Sequence, residues 1–168
     1  PVDSQLISLV RKELIRPERS TFPGEDAFRF RHLLIRDAAY EALPKETRAE
    51  LHERFAEWLE TRGGLIELDE ILGYHLEQAN RYRQELGKPD DGLAARAGRL
   101  LAAAGCRAFA REDIAAASSL LERALSLLPS GDDARPAAAL ALAELVAGRG
   151  EFGRHDELVA PLLNWPDR

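Results

Sequence analysis

The sequence predicts a mainly α chain in which a helix–hairpin–helix unit leads into a series of short antiparallel helices. Apolar residues recur at helical spacing through most of the 168 residues. Only Phe28-Arg29-Phe30-Arg31 alternates apolar and charged residues with a period of two, the pattern of a half-buried strand. Breakers then divide the rest at intervals suited to short helices: Gly87 with Pro89, Arg111-Glu112-Asp113, Pro129-Ser130-Gly131, Gly148-Arg149-Gly150 and Pro166.

Taken in order, Asp3 to Glu13 reads as a helix with Leu6, Ile7, Leu9 and Val10 apolar, and with Asp3 or Ser4 as its N-cap. Glu13-Leu14-Ile15-Arg16 follows as a strand, paired with Ala27 to Arg31 so that the rings of Phe28 and Phe30 are buried on one side. Pro17 to Asp26 forms the connecting loop, where Pro17, Pro23 and Gly24 suit a turn. At Leu33 the period changes, and a helix runs from His32 to Ala42. Pro44 ends it and starts the next, since a first-turn residue needs no N–H. That next helix carries Leu51, Phe55, Trp58 and Leu59 as its apolar stripe and ends at Gly63-Gly64. Leu68 to Leu86 is another helix, with Leu68, Ile71, Leu72, His75, Leu76 and Ala79 on the buried face. From Leu93 the composition turns to alanine and leucine. The segments are therefore 1–43, 44–92 and 93–168.

The run Phe28-Arg29-Phe30-Arg31-His32-Leu33-Leu34-Ile35-Arg36-Asp37-Ala38-Ala39-Tyr40 resembles the end of the winged-helix subdomain in STAND-type signalling ATPases, P-loop regulators related to AAA and NB-ARC proteins. It is most similar to the bacterial branch in which the ATPase is joined to an adenylate/guanylate cyclase domain or to a DNA-binding output domain. Relatives carry a Met-His-Asp-Leu-Leu-type motif at this strand-to-helix junction. Of that motif His32 matches, while Arg31 stands in the methionine position and Leu33 in the aspartate position. The resemblance implies that His32 reaches the β-phosphate of ADP in the full-length protein and helps to hold the inactive state. It implies ATP/ADP with Mg as cofactors of that full-length protein, with none bound by the fragment alone, and an upstream ATPase core in the same chain as partner.

Between Leu101 and Pro129 the pattern resembles a tetratricopeptide repeat: Leu101, Ala104, Gly105 and Ala108, then Ala117 and Leu121, then Ala124 and Pro129. Small residues there let two helices approach closely. Gly150-Glu151-Phe152 resembles the turn of a second repeat, although His155 stands where a small alanine is expected. The fold class is thus a winged-helix remnant with one short β-hairpin, followed by antiparallel helix pairs of a tetratricopeptide-like superhelix. That superhelix implies an unidentified protein or ligand as partner.

Charge and motifs bound the chemistry. The net charge of −6 opposes general nucleic-acid binding, which needs a basic field to release counterions. Arg29, Arg31 and Arg36 form a local basic group, but Glu25, Asp26, Asp37 and Glu41 surround it, so DNA is not the expected partner. No apolar run of about 18 residues appears, and no membrane partner is expected. With no signal peptide, the chain reads as cytoplasmic. The start at Pro1 and the lack of Met suggest a piece of a longer protein. Cys106, the single cysteine, lies in an Ala-rich helical stretch and reads as a small buried thiol.

His32, His52, His75 and His155 lack the close ligand pairing of a metal site. His52 and His75 border or occupy apolar stripes and read as hydrogen-bonded core residues. Glu50, Glu53, Glu57 and Glu60 read as a solvated helix face. No nucleophile elbow, phosphate loop or cyclase-type acidic pair is present, so the fragment is not expected to be an enzyme. The leading expectation is a non-catalytic regulatory and interaction segment of a cyclase-linked STAND ATPase. Alternatives are the same segment in an ATPase-type transcriptional regulator, or a free-standing tetratricopeptide adaptor.

Overall fold

The computed structural model describes residues 2–20, 22, 24–62 and 68–165. Pro23, the Gly63-Gly64 stop and Pro166 lie outside the described residues. The chain divides into two compact units, Pro1–Pro44 and Lys45–Arg168. Residues 45–92 and 93–168 fall within the same unit.

The first unit contains α1 (Val2–Arg11), β1 (Ile15–Glu18), β2 (Ala27–Phe30) and α2 (Leu33–Glu41). Because α1 begins at Val2, Asp3 and Ser4 lie in its first turn rather than at its cap. It also stops two residues before Glu13. Glu13 takes a left-handed φ of 57°, and the amides of Glu13 and Leu14 bond back to Val10 and Leu9 at 3.0 and 3.1 Å. This is a Schellman closure, which satisfies carbonyls that the last turn leaves open.

The two strands pair antiparallel, with Ile15 opposite Phe30, Arg16 opposite Arg29, Pro17 opposite Phe28 and Glu18 opposite Ala27. Pro17 therefore belongs to the strand, not to the loop. Since the Arg31 amide bonds to the Leu14 carbonyl at 3.0 Å, the alternation of an antiparallel ladder makes Pro17–Phe28 a non-hydrogen-bonded pair. There the missing proline N–H costs nothing. Ile15, Pro17, Phe28 and Phe30 share one face. On the other, Arg29 and Arg16 hold Glu18 at 3.1 and 3.7 Å. Ile15 is buried, but Phe28 and Phe30 remain about two-fifths exposed (39% and 40%), so the predicted burial of both rings does not occur.

The second unit contains α3 (Lys45–Glu60), α4 (Asp69–Glu85), α5 (Asp91–Ala110), α6 (Ile114–Leu127), α7 (Arg135–Gly148), α8 (Phe152–Val159) and a 3₁₀ turn (Ala160–Asn164). Pro44 immediately precedes α3 instead of forming its first turn. Each helix packs against the next, and α5 also touches α7. Asp90 and Asp113 cap α5 and α6 through the amides of Leu93 and Ala116, satisfying first-turn donors.

The core lies among α5, α6 and α7, around Leu101, Leu121, Leu142 and Val146. Alanines fill the space between these larger side chains, and glycines set the approach of the helices. A β-carbon on Gly73 of α4 would lie 2.8 Å from the Leu101 side chain, and one on Gly105 of α5 would lie 2.8 Å from that of Leu121. Leu101, Ala104, Gly105, Ala108, Ala117, Leu121 and Ala124 are all buried. At the C-terminal end, by contrast, α8 has no buried residue and Phe152 is exposed.

Two predicted faces change. The buried side of α3 is Ala49, His52, Ala56 and Leu59, whereas Leu51 and Phe55 are exposed and Trp58 is half-buried. On α4, Ile71 is exposed, Leu68 is half-buried at the N-cap, and Gly73, Asn80 and Tyr82 join the interior. Hydrophobicity misplaced these faces because Ala and Gly permit close helix contact that bulkier residues would block.

Candidate functional site

His32 occupies the N-cap of α2 in extended conformation, φ −129° and ψ 133°, and its side chain makes no capping hydrogen bond. The imidazole is exposed. Its carbonyl accepts from the amides of Ile35 and Arg36 at 3.2 and 3.3 Å, beginning the helix. Thus the change in sequence period corresponds to the β2-to-α2 junction, with His32 beside the first-turn N–H groups. Helix starts favour anions through such donors and the helix dipole. Around it, Leu33 and Leu34 are 67% and 82% exposed, and α2 has no buried residue. In the neighbouring basic group, Arg29 is held by Glu18 and Arg36 by Asp37.

A second site, not recognised as a pair from sequence, lies between α3 and α4. His52 and His75 meet Nδ1 to Nδ1 at 2.8 Å. Such a contact requires one ring to donate and the other to accept, so the neutral pair holds opposite tautomers. His52 is 8% exposed, and His75 is half-buried. Phe55 lies 4.5 Å from the His75 ring centroid, and Tyr74 stands edge-on to it at 5.3 Å. Tyr82 is 6.2 Å from His52.

This enclosure makes protonation costly. Burial, then repulsion from His75 and Arg81, lowers the pKa of His52 to about 4. Burial also lowers that of His75. Arg48 and Arg81 lie 5.3 and 4.7 Å from the Tyr82 ring centroid. Arg62 lies 4.0 Å from the Trp58 ring centroid, a cation–π arrangement.

Charged pairs connect the helices around this cluster. Arg83 forks onto Glu53, with its Nη2 donating at 2.7 Å, while Arg96 bridges α5 to Glu60 of α3. Glu53 is therefore a half-buried interhelical partner, a correction to the reading of all four α3 glutamates as a solvated face; Glu50, Glu57 and Glu60 are exposed, Glu60 while also pairing with Arg96. Arg123 of α6 forks onto Glu77 of α4, and Arg154 of α8 holds Glu122 of α6 at 2.8 Å. Bidentate guanidinium–carboxylate pairs fix orientation as well as distance.

Cys106 is half-buried and packs against the core rather than being fully enclosed. Burial raises its pKa, partly offset by Arg107. His155 stays apart from the other histidines, with Nδ1 3.0 Å from Asp156. Among the described residues, no group of three or more His, Cys, Asp or Glu is arranged to hold a metal ion, and no helix is long and apolar enough to cross a membrane.

No family model, curated protein or solved structure matches the chain. The helical phase of His52 and His75 gave their common tendency toward the interior; their direct meeting depends on the α3–α4 crossing.

Proposed function

We propose that this chain is a regulatory and protein-interaction segment of a STAND-type signalling ATPase joined to an adenylate/guanylate cyclase domain. The observation that carries the reading is His32, exposed at the start of α2 directly after a two-stranded hairpin and without a side-chain cap. An imidazole there can donate to a phosphate oxygen beside the α2 N-terminus. ATP or ADP with Mg would rest on an ATPase core upstream of this segment, supplying a nucleotide state to read.

Residues 45–165 would provide the interaction scaffold. Ion pairs that skip one helix, Glu60–Arg96, Glu77–Arg123 and Glu122–Arg154, support repeated stacking of helix pairs in a tetratricopeptide-like superhelix. The segment itself would be non-catalytic. Contact from His32 would favour a closed state, and its loss would favour an open one.

The decisive experiment uses the full-length protein. His32→Ala should speed ADP release and raise basal output. Loss of one charge-assisted hydrogen bond, roughly 1.5–3 kcal/mol, corresponds to about a tenfold to hundredfold shift in population. Unchanged ADP retention and basal output in a folded variant would reject the role. Sequencing the coding region before Pro1 provides an independent check: a phosphate loop followed by an acidic strand end is expected.

A further inference from the structure

We propose that the His52–His75 contact is an acid-sensitive latch between α3 and α4, which holds while either facing Nδ1 keeps a lone pair and opens when both are protonated. The rings meet at 2.8 Å inside a helix–helix interface. In the neutral pair one Nδ1–H donates to the other Nδ1. A single added proton can preserve an N–H to N contact, but a second leaves two N–H groups facing each other with no acceptor. Phe55, Tyr74 and Tyr82 pack around the rings, so the two imidazolium charges would meet aromatic edges and faces.

Charged groups of the packed elements add positive charge beside the pair or engage one another. Arg81 of α4 opposes a positive charge on His52, and Arg48 of α3 lies over Tyr82. The nearby α3 carboxylate, Glu53, is engaged by Arg83. On α4, Glu77 is engaged by Arg123 of α6. From α5, Arg107 engages Asp69 of α4, while Leu101 fills the space at Gly73.

The direction of the response follows from His52. Its folded-state pKa of about 4 is below the ordinary value of 6.5. Its neutral-state contribution is therefore complete above roughly pH 6.5 and is lost as pH falls toward 4.

The test compares the 168-residue chain with His52→Gln in chemical denaturation from pH 7 to pH 4.5. One extra proton taken up on unfolding lowers the folding equilibrium about tenfold per pH unit. The parent should lose up to roughly that factor more than the variant over each unit below pH 6. Parallel acid responses would overturn the latch. If His52→Gln does not fold, histidine ¹⁵N spectra and amide protection of the parent provide the decision. The latch requires loss of α3 and α4 protection, ahead of α5–α7, as the second ring is protonated. Independent titration near pH 6.5 with unchanged α3–α4 protection would overturn it.

Discussion

Between α5 and α6, a close approach places Leu121 over Gly105, so contact depends on the absence of a β-carbon. Between α3 and α4, His52 meets His75 through a hydrogen bond inside an aromatic group. The first contact is governed by shape and is indifferent to protons; the second tolerates only certain protonation states. One antiparallel arrangement of helices thus carries two distinct responses. Packing in the α5–α7 region supplies persistence, whereas the α3–α4 interface couples packing to pH.

Truncating a core leucine should separate these regions most strongly. Leu101→Ala removes a fully buried side chain that fills the notch at Gly73, and should cost about 2–5 kcal/mol in denaturant unfolding. Leu51→Ala, at a position 45% exposed on α3, should stay within roughly 0.5 kcal/mol. Equal losses would erase the distinction between the buried face and the exposed stripe.

Overpacking provides the next test. Gly105→Leu places new atoms against both the side chain and the backbone amide of Leu121, with the latter 3.2 Å from an ideal β-carbon. The expected penalty is about 1–3 kcal/mol. An unchanged melting temperature would show that close approach does not constrain this helix pair.

Removing Arg83 sharpens the comparison from its polar side. Arg83→Ala should cost about 0.2–1 kcal/mol, with part of that loss disappearing at high salt. The estimate is modest because the Arg83 and Glu53 side chains retain 35% and 22% exposure. A double-mutant cycle with Glu53→Ala measures the pair directly; zero coupling would leave α3–α4 cohesion to its rings, its apolar contacts and other links such as Lys45–Glu85.

The smallest effect concerns the turn between α5 and α6. Glu112 has a left-handed φ of 61°, and Asp113 bonds back to Ala108 at 3.0 Å. Glu112→Gly relieves the β-carbon penalty but enlarges the unfolded ensemble. A net gain of up to about 0.5 kcal/mol is expected in denaturant unfolding. Destabilisation would mean that the glutamate side chain contributes more than its backbone strain costs.

Much of the fold was legible because local signals were strong. The period change at His32 placed the junction of strand and helix, while Gly87 and Gly150 lay at helix boundaries. The small residues from Leu101 to Ala124 also pointed to a close helix pair. Less was legible where stereochemistry depended on another element. Pro17 entered a strand because the ladder register placed it at a non-bonded position, and Glu13 adopted a conformation usually associated with glycine. Faces with mixed large and small residues were harder still. On α3, Ala49 and Ala56 went inside while Leu51 and Phe55 remained outside, because helix separation outweighed side-chain hydrophobicity. His52 and His75 showed their shared inward phase, but only a crossing of two helices could specify the tautomeric requirement between them.

The arrangement of Leu101 and Gly105 gives α5 two opposite roles one turn apart. Toward α4 it supplies a projection, and toward α6 it offers a recess. Sliding α5 along its axis by a turn would remove Leu101 from its recess and bring another side chain against Leu121. The two fits therefore act like a ratchet tooth and its stop: axial slip is penalised in both directions, and a push on α4 is passed to α6 as displacement of the intervening helix.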